Sequence, residues 1–195
     1  DMQLREVVRL IRGTAGTVVN LTLLREDGTA VSNFVISVKR EKIQLEDRVA
    51  KSKVYELRAG KNSKSNKISK IGVLDVPSFY VDFEGMHARK KNYRSSYRDS
   101  MAEIAKLKKA NVDGVIVDLR SNGGGSLDES VKIAGMFFDQ GPVVQVKDMD
   151  GKKRSEMDPY TGEVYSGPLV ILINRQSASA SEILAGAIQD YQRGL

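Results

Sequence analysis

Residues 174–186 read NRQSASASEILAG: Ser177, Ser179 and Ser181 alternate with Ala178 and Ala180, between the apolar run LVILI and a helical pattern. A serine at a strand-to-helix turn, with small neighbours, has its hydroxyl lifted off the sheet and exposed, as in nucleophile elbows. The same serines suit capping. Ser179-x-x-Glu182 has the spacing of a capping box, and Ser181 is equally placed to cap the helix. A second small-residue loop, Gly123-Gly124-Gly125, also stands between a strand and a helix. Glycine admits positive φ and close approach of another group, and the helix behind it presents free amides at its positive dipole end. Phosphate and a developing oxyanion both suit that geometry. Neither the G-x-x-x-x-G-K nor the G-x-G-x-x-G spacing is present, which argues against a nucleotide. A tight turn that merely needs glycine is the third reading.

A nucleophilic serine needs a base. The single histidine, His87, lies in a polar basic stretch far from the serines, and no carboxylate pattern stands behind it. The other usual base is a lysine made neutral by desolvation, its pKa drawn down to ~7–8. The last lysine is Lys153, in a turn, so a lysine base comes from upstream or from beyond Leu195. Cysteine is absent, which removes thiol nucleophiles, thiolate metal sites and disulfides together. No metal or cofactor is expected.

At 195 residues, 41% hydrophobic and 29% charged, the chain is long enough for one domain or two. No apolar run approaches the ~18 residues of a membrane helix. Lys and Arg number 31 against 25 Asp and Glu, a formal charge of +6. The excess sits in residues 51–70 and 87–98. With only Tyr93 and Tyr97 as stacking faces and no nucleic-acid motif, solvated loops and a hairpin tip explain it better than nucleic acid.

Leu4, Val7, Val8 and Ile11 form a helical stripe stopped by Gly13. TVVNLTLLRE and NFVISVKR read as strands turning at Asp27-Gly28, and KIQLEDR as an extension of the second. KVYELR and KISKIGVLDV are strands around the loop AGKNSKSN. Residues 84–95 read as loop, and SYRDSMAEIAKLKKANV as a helix. GVIVDL and GPLVILI are near-continuous apolar runs, the mark of strands covered on both faces. GPVVQV is a further strand, turning at Asp150-Gly151; LDESVKIAGMFF and EILAGAIQDY are helices. Strands alternating with helices predict an α/β core with parallel strands.

SKIGVLDVPSFYVDF, GVIVDLRSNGGGSLDESVKIAGMFFDQGPVVQV and GPLVILINRQSASASEILAGAIQDY together resemble the carboxy-terminal processing peptidases, most nearly their bacterial tail-specific branch. The likeness runs from about Ile43 to Leu195, and residues 1–42 resemble the second half of that family's PDZ domain. The resemblance implies a crotonase-like α/β serine-protease core (residues 48–195) after the C-terminal half of a PDZ-like α+β domain (residues 1–47). It implies cleavage of proteins near apolar C-terminal tails by a Ser/Lys mechanism. By position, Ser179 is the nucleophile, the Gly124 and Ala180 amides form the oxyanion hole, and Asp190 supports the site. The family's base lysine lies in a GKG segment about twenty-five residues after the nucleophile, past Leu195. The 195-residue chain is therefore expected to be truncated before its base and inactive alone. The implied partners are tailed protein substrates and an adaptor, not nucleic acid or an integral membrane segment, and the implied location is periplasmic or otherwise extracytoplasmic. The alternative is a non-catalytic PDZ-containing scaffold or adaptor with a degenerate core.

Overall fold

The computed structural model describes residues 3–27, 30–41, 49–58 and 68–195. The chain divides into two compact units, Asp1–Leu45 and Glu46–Leu195.

In the first unit, helix α1 (Leu4–Ile11) precedes an antiparallel pair, β1 (Val18–Asp27) and β2 (Ala30–Lys39), in register from Val18↔Lys39 to Asp27↔Ala30. Arg40 joins the pieces: its guanidinium donates to the Leu10 carbonyl at 2.9 Å and its Nε to the Ile11 carbonyl at 2.8 Å. Those carbonyls belong to the helix's last turn, which lacks internal donors. Val8, Ile11, Leu24, Val31 and Val35 remain exposed, so neither the α1 stripe nor the ribbon is fully covered. The expected Gly28 turn and the 42–48 extension lie outside the described residues, as does the 59–66 loop.

The second unit is built on a four-stranded sheet in the order β3-β4-β5-β8. β3 (Lys51–Arg58) is antiparallel to β4 (Ile68–Asp75); β4, β5 (Gly114–Asp118) and β8 (Leu169–Leu172) are parallel. Parallel neighbours need crossovers. α2 (Phe83–His87) and α3 (Ser96–Lys109) lie between β4 and β5, while α4 (Leu127–Gly135) lies between β5 and β8, and α5 (Ala180–Asp190) follows β8. The apolar runs did predict covered strands: Leu74, Val115 and Val117 are buried with Ile104 and Leu107 of α3, Ile133 and Phe137 around α4, and Leu184 and Ile188 of α5. Each such side chain contributes roughly 1.5–3 kcal/mol by leaving water.

Two expectations need correcting. GPVVQV is a strand, β6 (Pro142–Lys147), but it pairs antiparallel with β7 (Lys153–Met157) in a separate two-stranded ribbon. The tight turn at 149–151, closed by the Gly151 N–H on the Asp148 carbonyl and the Asp148 N–H on the Lys152 carbonyl, both at 2.9 Å, favours this local partner over a distant sheet edge. Residues 84–95 are not all loop. The Asp82 carboxylate accepts the Gly85 N–H at 3.0 Å, and that cap supports the short helix α2, with His87 exposed in its last turn.

Candidate active site

Three segments converge at the carboxyl ends of the parallel strands: the stretch after β4, the glycine loop after β5 and the serine loop after β8. Crevices at these strand ends are where open α/β sheets commonly take ligands. Ser179 is the residue before α5. Its backbone stands at φ 56°, ψ −116°, a region that non-glycine residues occupy at a cost of about 1–3 kcal/mol. The residue is exposed, whereas Ala180 and Ser181 after it are buried. This is the sharp, outward turn that the small-residue pattern predicted.

The capping-box arrangement is in place, but its two limbs are unequal. The Glu182 carboxylate accepts the Ser179 N–H at 2.7 Å. The Glu182 N–H is committed to the Ser179 carbonyl at 3.0 Å, and Oγ makes no cap hydrogen bond of full geometry. Ser179 therefore holds the helix start chiefly through its backbone, and its hydroxyl donates no hydrogen bond among the described residues. Among the described residues, no lysine or histidine is hydrogen-bonded to it.

The flanking serines are tethers. Ser177 Oγ donates to the Leu119 carbonyl at 2.8 Å and accepts the Asn174 N–H at 2.9 Å. Ser181, fully buried, donates to the Asn122 carbonyl at 2.9 Å. It sits inside the helix and is not the cap. From the opposite side, Ser130 of α4 donates to the Ala180 carbonyl at 2.8 Å.

The triple-glycine loop lies directly against this turn. Gly124 has φ +104°, and a Cβ placed on it would stand 2.8 Å from Ser179 Cβ, 3.0 Å from the Ala178 carbonyl oxygen and 3.3 Å from the Ala180 nitrogen. Gly125, at φ +141°, would drive a Cβ to 2.3 Å from the Phe79 carbonyl oxygen. The glycines are thus required by close approach on two sides, with Phe79 N–H bonded to the Gly124 carbonyl at 3.1 Å and Ser126 N–H to the Phe79 carbonyl at 2.8 Å.

Of the two amides expected to face an oxyanion, only one is unengaged. Ala180 N–H, at the first position of α5, donates to nothing among the described residues and is one of the orphan donors of a helix start. Gly124 N–H donates to Asn122 Oδ1 at 2.9 Å. In this arrangement the Gly124 amide is directed into the protein, because a buried asparagine two residues earlier offers it a closer acceptor. Asn122 carried no notice in the sequence, although an Asn two residues before a glycine has the spacing of an Asx turn.

Asp190 lies at the far end of α5, eleven residues after Ser179 and so about 16 Å along the helix axis. It is exposed, and it is not paired with Arg193 among the described ion pairs. That guanidinium is spent on the Phe137, Tyr165 and Gly167 carbonyls, at 2.6, 2.7 and 2.9 Å. Asp190, Glu182, Val143, Val144, Ile183 and Ala187 border a groove of about 510 Å³ between α5 and β6. A second cleft, about 690 Å³, lies between Asp75, Ser78, Arg120 and the glycine loop.

At that second cleft Asp75 and Asp118 are register partners on β4 and β5. The Arg120 side chain bonds Asp118, Nε to Oδ1 at 2.9 Å and Nη2 to Oδ2 at 2.6 Å. These bonds hold the Asp118 carboxyl below its ordinary pKa, while burial and then the neighbouring Asp118 charge raise that of Asp75. Elsewhere, the basic 87–98 stretch uses its aromatic faces internally. Arg98 covers the Tyr93 ring at 3.9 Å and Tyr97 stacks on Tyr160 at 5.4 Å.

Known proteins share this arrangement of sequence and fold. Residues 70–195 match peptidase family S41. The tail-specific protease of Haemophilus influenzae is 37% identical over 193 residues, which are 99% of this chain and 24% of that protein. The chloroplastic carboxyl-terminal-processing peptidase 2 of Arabidopsis thaliana is 31% identical over 191 residues, 97% of this chain and 33% of the relative. The solved photosystem II D1 C-terminal processing protease superposes with a TM-score of 0.63 at 25% identity, covering 100% of this chain and 46% of that one. Mature CPAF, at 13% identity, shares the fold with a TM-score of 0.55 over 92% of this chain and 53% of its own. The chain therefore spans well under two thirds of each of these proteins. It belongs to peptidase family S41.

Proposed function

We propose that this chain carries the nucleophile of a serine endopeptidase of the C-terminal processing type, with Ser179 as the attacking residue. The observation that carries the reading is the strained, exposed Ser179 turn seated against Gly124, with the free Ala180 N–H beside it. A structural cap needs neither the backbone cost nor the glycine contact.

The chemistry follows from those groups. A neutral lysine takes the Ser179 proton as Oγ attacks the scissile carbonyl carbon. The carbonyl π electrons move to oxygen, and the Ala180 N–H, with a donor from the glycine loop, stabilises the negative charge. Removing one such donor costs about 3–4 kcal/mol of barrier. Collapse expels the amine, which takes the proton from lysine, and leaves an acyl-serine for water to hydrolyse. By family resemblance the lysine belongs to a GKG segment after Leu195. Asp190, too distant to touch the reacting atoms, acts through neighbours along the α5 groove. Ala178 and Ala180 keep the approach open for peptide backbone.

Apolar C-terminal tails are the substrate class we assign. Support comes from the names of the relatives, tail-specific and carboxyl-terminal-processing, and from Val143, Val144, Ile183 and Ala187 along the groove between α5 and β6. We read α1 with the β1–β2 ribbon as the second half of a PDZ-like tail-binding domain, an adaptor as a further partner, and the location as extracytoplasmic, testable by fractionating the host cell.

The test compares the full-length protein with its Ser179→Ala variant on a reporter ending in an apolar or a charged tail. Cleavage of the apolar-tailed reporter alone, lost in the variant, is the expected result. Undiminished cleavage by the variant refutes the serine assignment.

A further inference from the structure

Asn122 is fully buried at the junction of all three converging segments. Its Nδ2 donates to the Val76 carbonyl at 2.7 Å, at the end of β4. Its Oδ1 accepts the Gly124 N–H at 2.9 Å. Its main-chain carbonyl accepts both the Ser181 hydroxyl at 2.9 Å and the Ala178 N–H at 3.1 Å, one residue on either side of the Ser179–Ala180 pair. One residue thus fixes the glycine loop to the sheet and the serine turn to the glycine loop.

We propose that Asn122 is the positioning residue of this site: its side-chain amide ties the Gly124 peptide to the end of β4, and so sets how the glycine loop seats against the Ser179 turn. The inference rests on the serine-protease reading above and names what holds that site in register. An amide is suited to the task because it donates from one atom and accepts at the other. Both partners are uncharged main-chain groups pointing in different directions, so a hydroxyl or an apolar side chain satisfies at most one. Losing either contact frees a loop of three glycines, the residue type with the most backbone freedom to regain. A misplacement of about 1 Å in a catalytic constellation costs on the order of a hundredfold in rate.

Aspartate offers a sharp probe. Neutral, its carboxyl reproduces both bonds, O–H to the Val76 carbonyl and C=O from the Gly124 amide. Ionised, it has no donor for Val76. Burial favours the neutral form and raises the pKa. Activity of N122D relative to the native enzyme should therefore be high at low pH and fall as pH rises.

The experiment uses the full-length protein and an apolar-tailed peptide reporter, with a peptide aldehyde of the same tail as tetrahedral mimic. N122A is expected to lower kcat about a hundredfold while KM stays within about threefold. Its aldehyde inhibition should weaken in step with kcat/KM, as for any group that acts only on the tetrahedral state. The N122D-to-native activity ratio should drop between about pH 5.5 and about pH 8.5. An N122A enzyme with native kcat, or an N122D enzyme as impaired at the lower pH as at the higher, overturns the proposal. N122D keeps the test available if N122A fails to fold. Ser179→Ala is run alongside: if it still cleaves, the serine reading has failed, and if it is dead while N122A is native, only the Asn122 assignment has.

Discussion

Gly124 and Ser179 are in such close apposition that a methyl group on the first would lie 2.8 Å from the Cβ of the second. The glycine loop and the serine turn come from different crossover units, so this contact fixes the relative height of two strand ends. It also makes Gly124→Ala a direct probe. The variant has to push the serine turn outward and adopt a strained φ of +104°. We expect a stability loss of about 2 kcal/mol or more, from strain and overpacking together, measured by denaturant unfolding. Proteolysis by the full-length enzyme should fall by at least about a hundredfold.

Ser179 itself should show a conflict between stability and function. Ser179→Gly relieves the φ 56° strain, whereas Ser179→Ala retains it. Both variants should be inactive, but the glycine protein should be more stable than the alanine one by about 1 kcal/mol. Equal unfolding midpoints for the two would mean that the turn carries no strain.

Glu129 of α4 is 2% exposed, and its Oε2 accepts the Tyr97 N–H at 2.7 Å and the Ser96 hydroxyl at 3.2 Å, at the start of α3. A carboxylate there answers the free amides and positive end of a helix. Glu129→Leu leaves those donors buried without an acceptor and should cost about 2–3 kcal/mol in denaturant unfolding.

The Asp75–Asp118–Arg120 cluster predicts a pH dependence. Asp118, depressed first by its Arg120 bonds, contributes stability that is present above the unfolded carboxylate pKa and lost as pH falls through its lower folded value. Asp75, raised first by burial, has the opposite sign: its cost sets in as pH climbs through the unfolded pKa and is complete above the folded one. Arg120→Leu removes the bonds to Asp118 and leaves two facing carboxylates less compensated. It should therefore destabilise at about pH 6, with an effect that shrinks as pH is lowered toward about pH 2 and Asp118 takes up its proton. An equal loss at both pH values contradicts this origin.

Legibility in the sequence followed physical range. β5, β8 and α5 were readable because burial on both faces or one stripe leaves a local pattern, and the Ser179 turn was readable from its small residues. The separation of β6 from the main sheet was not, since VVQV fits a ribbon as well as a parallel strand until its partner is known. The α2 helix hid in a basic stretch, because one Asp82 cap outweighs composition over five residues. Asn122 was invisible for a different reason: its importance lies in four partners at separations of 2, 46, 56 and 59 residues, and no local pattern encodes them. The three carbonyls that Arg193 binds, 26 to 56 residues away, likewise leave no local pattern.

The central claim is that the Ser179 oxygen forms a bond to the substrate's carbonyl carbon. Acid-quenching the full-length enzyme during turnover of an apolar-tailed ester or peptide, then mapping the acylated residue by mass spectrometry, tests it directly. We predict a single acyl group on the peptide that contains Ser179, absent from Ser179→Ala. An acyl group on Ser177, Ser181 or any residue outside this turn would contradict the account.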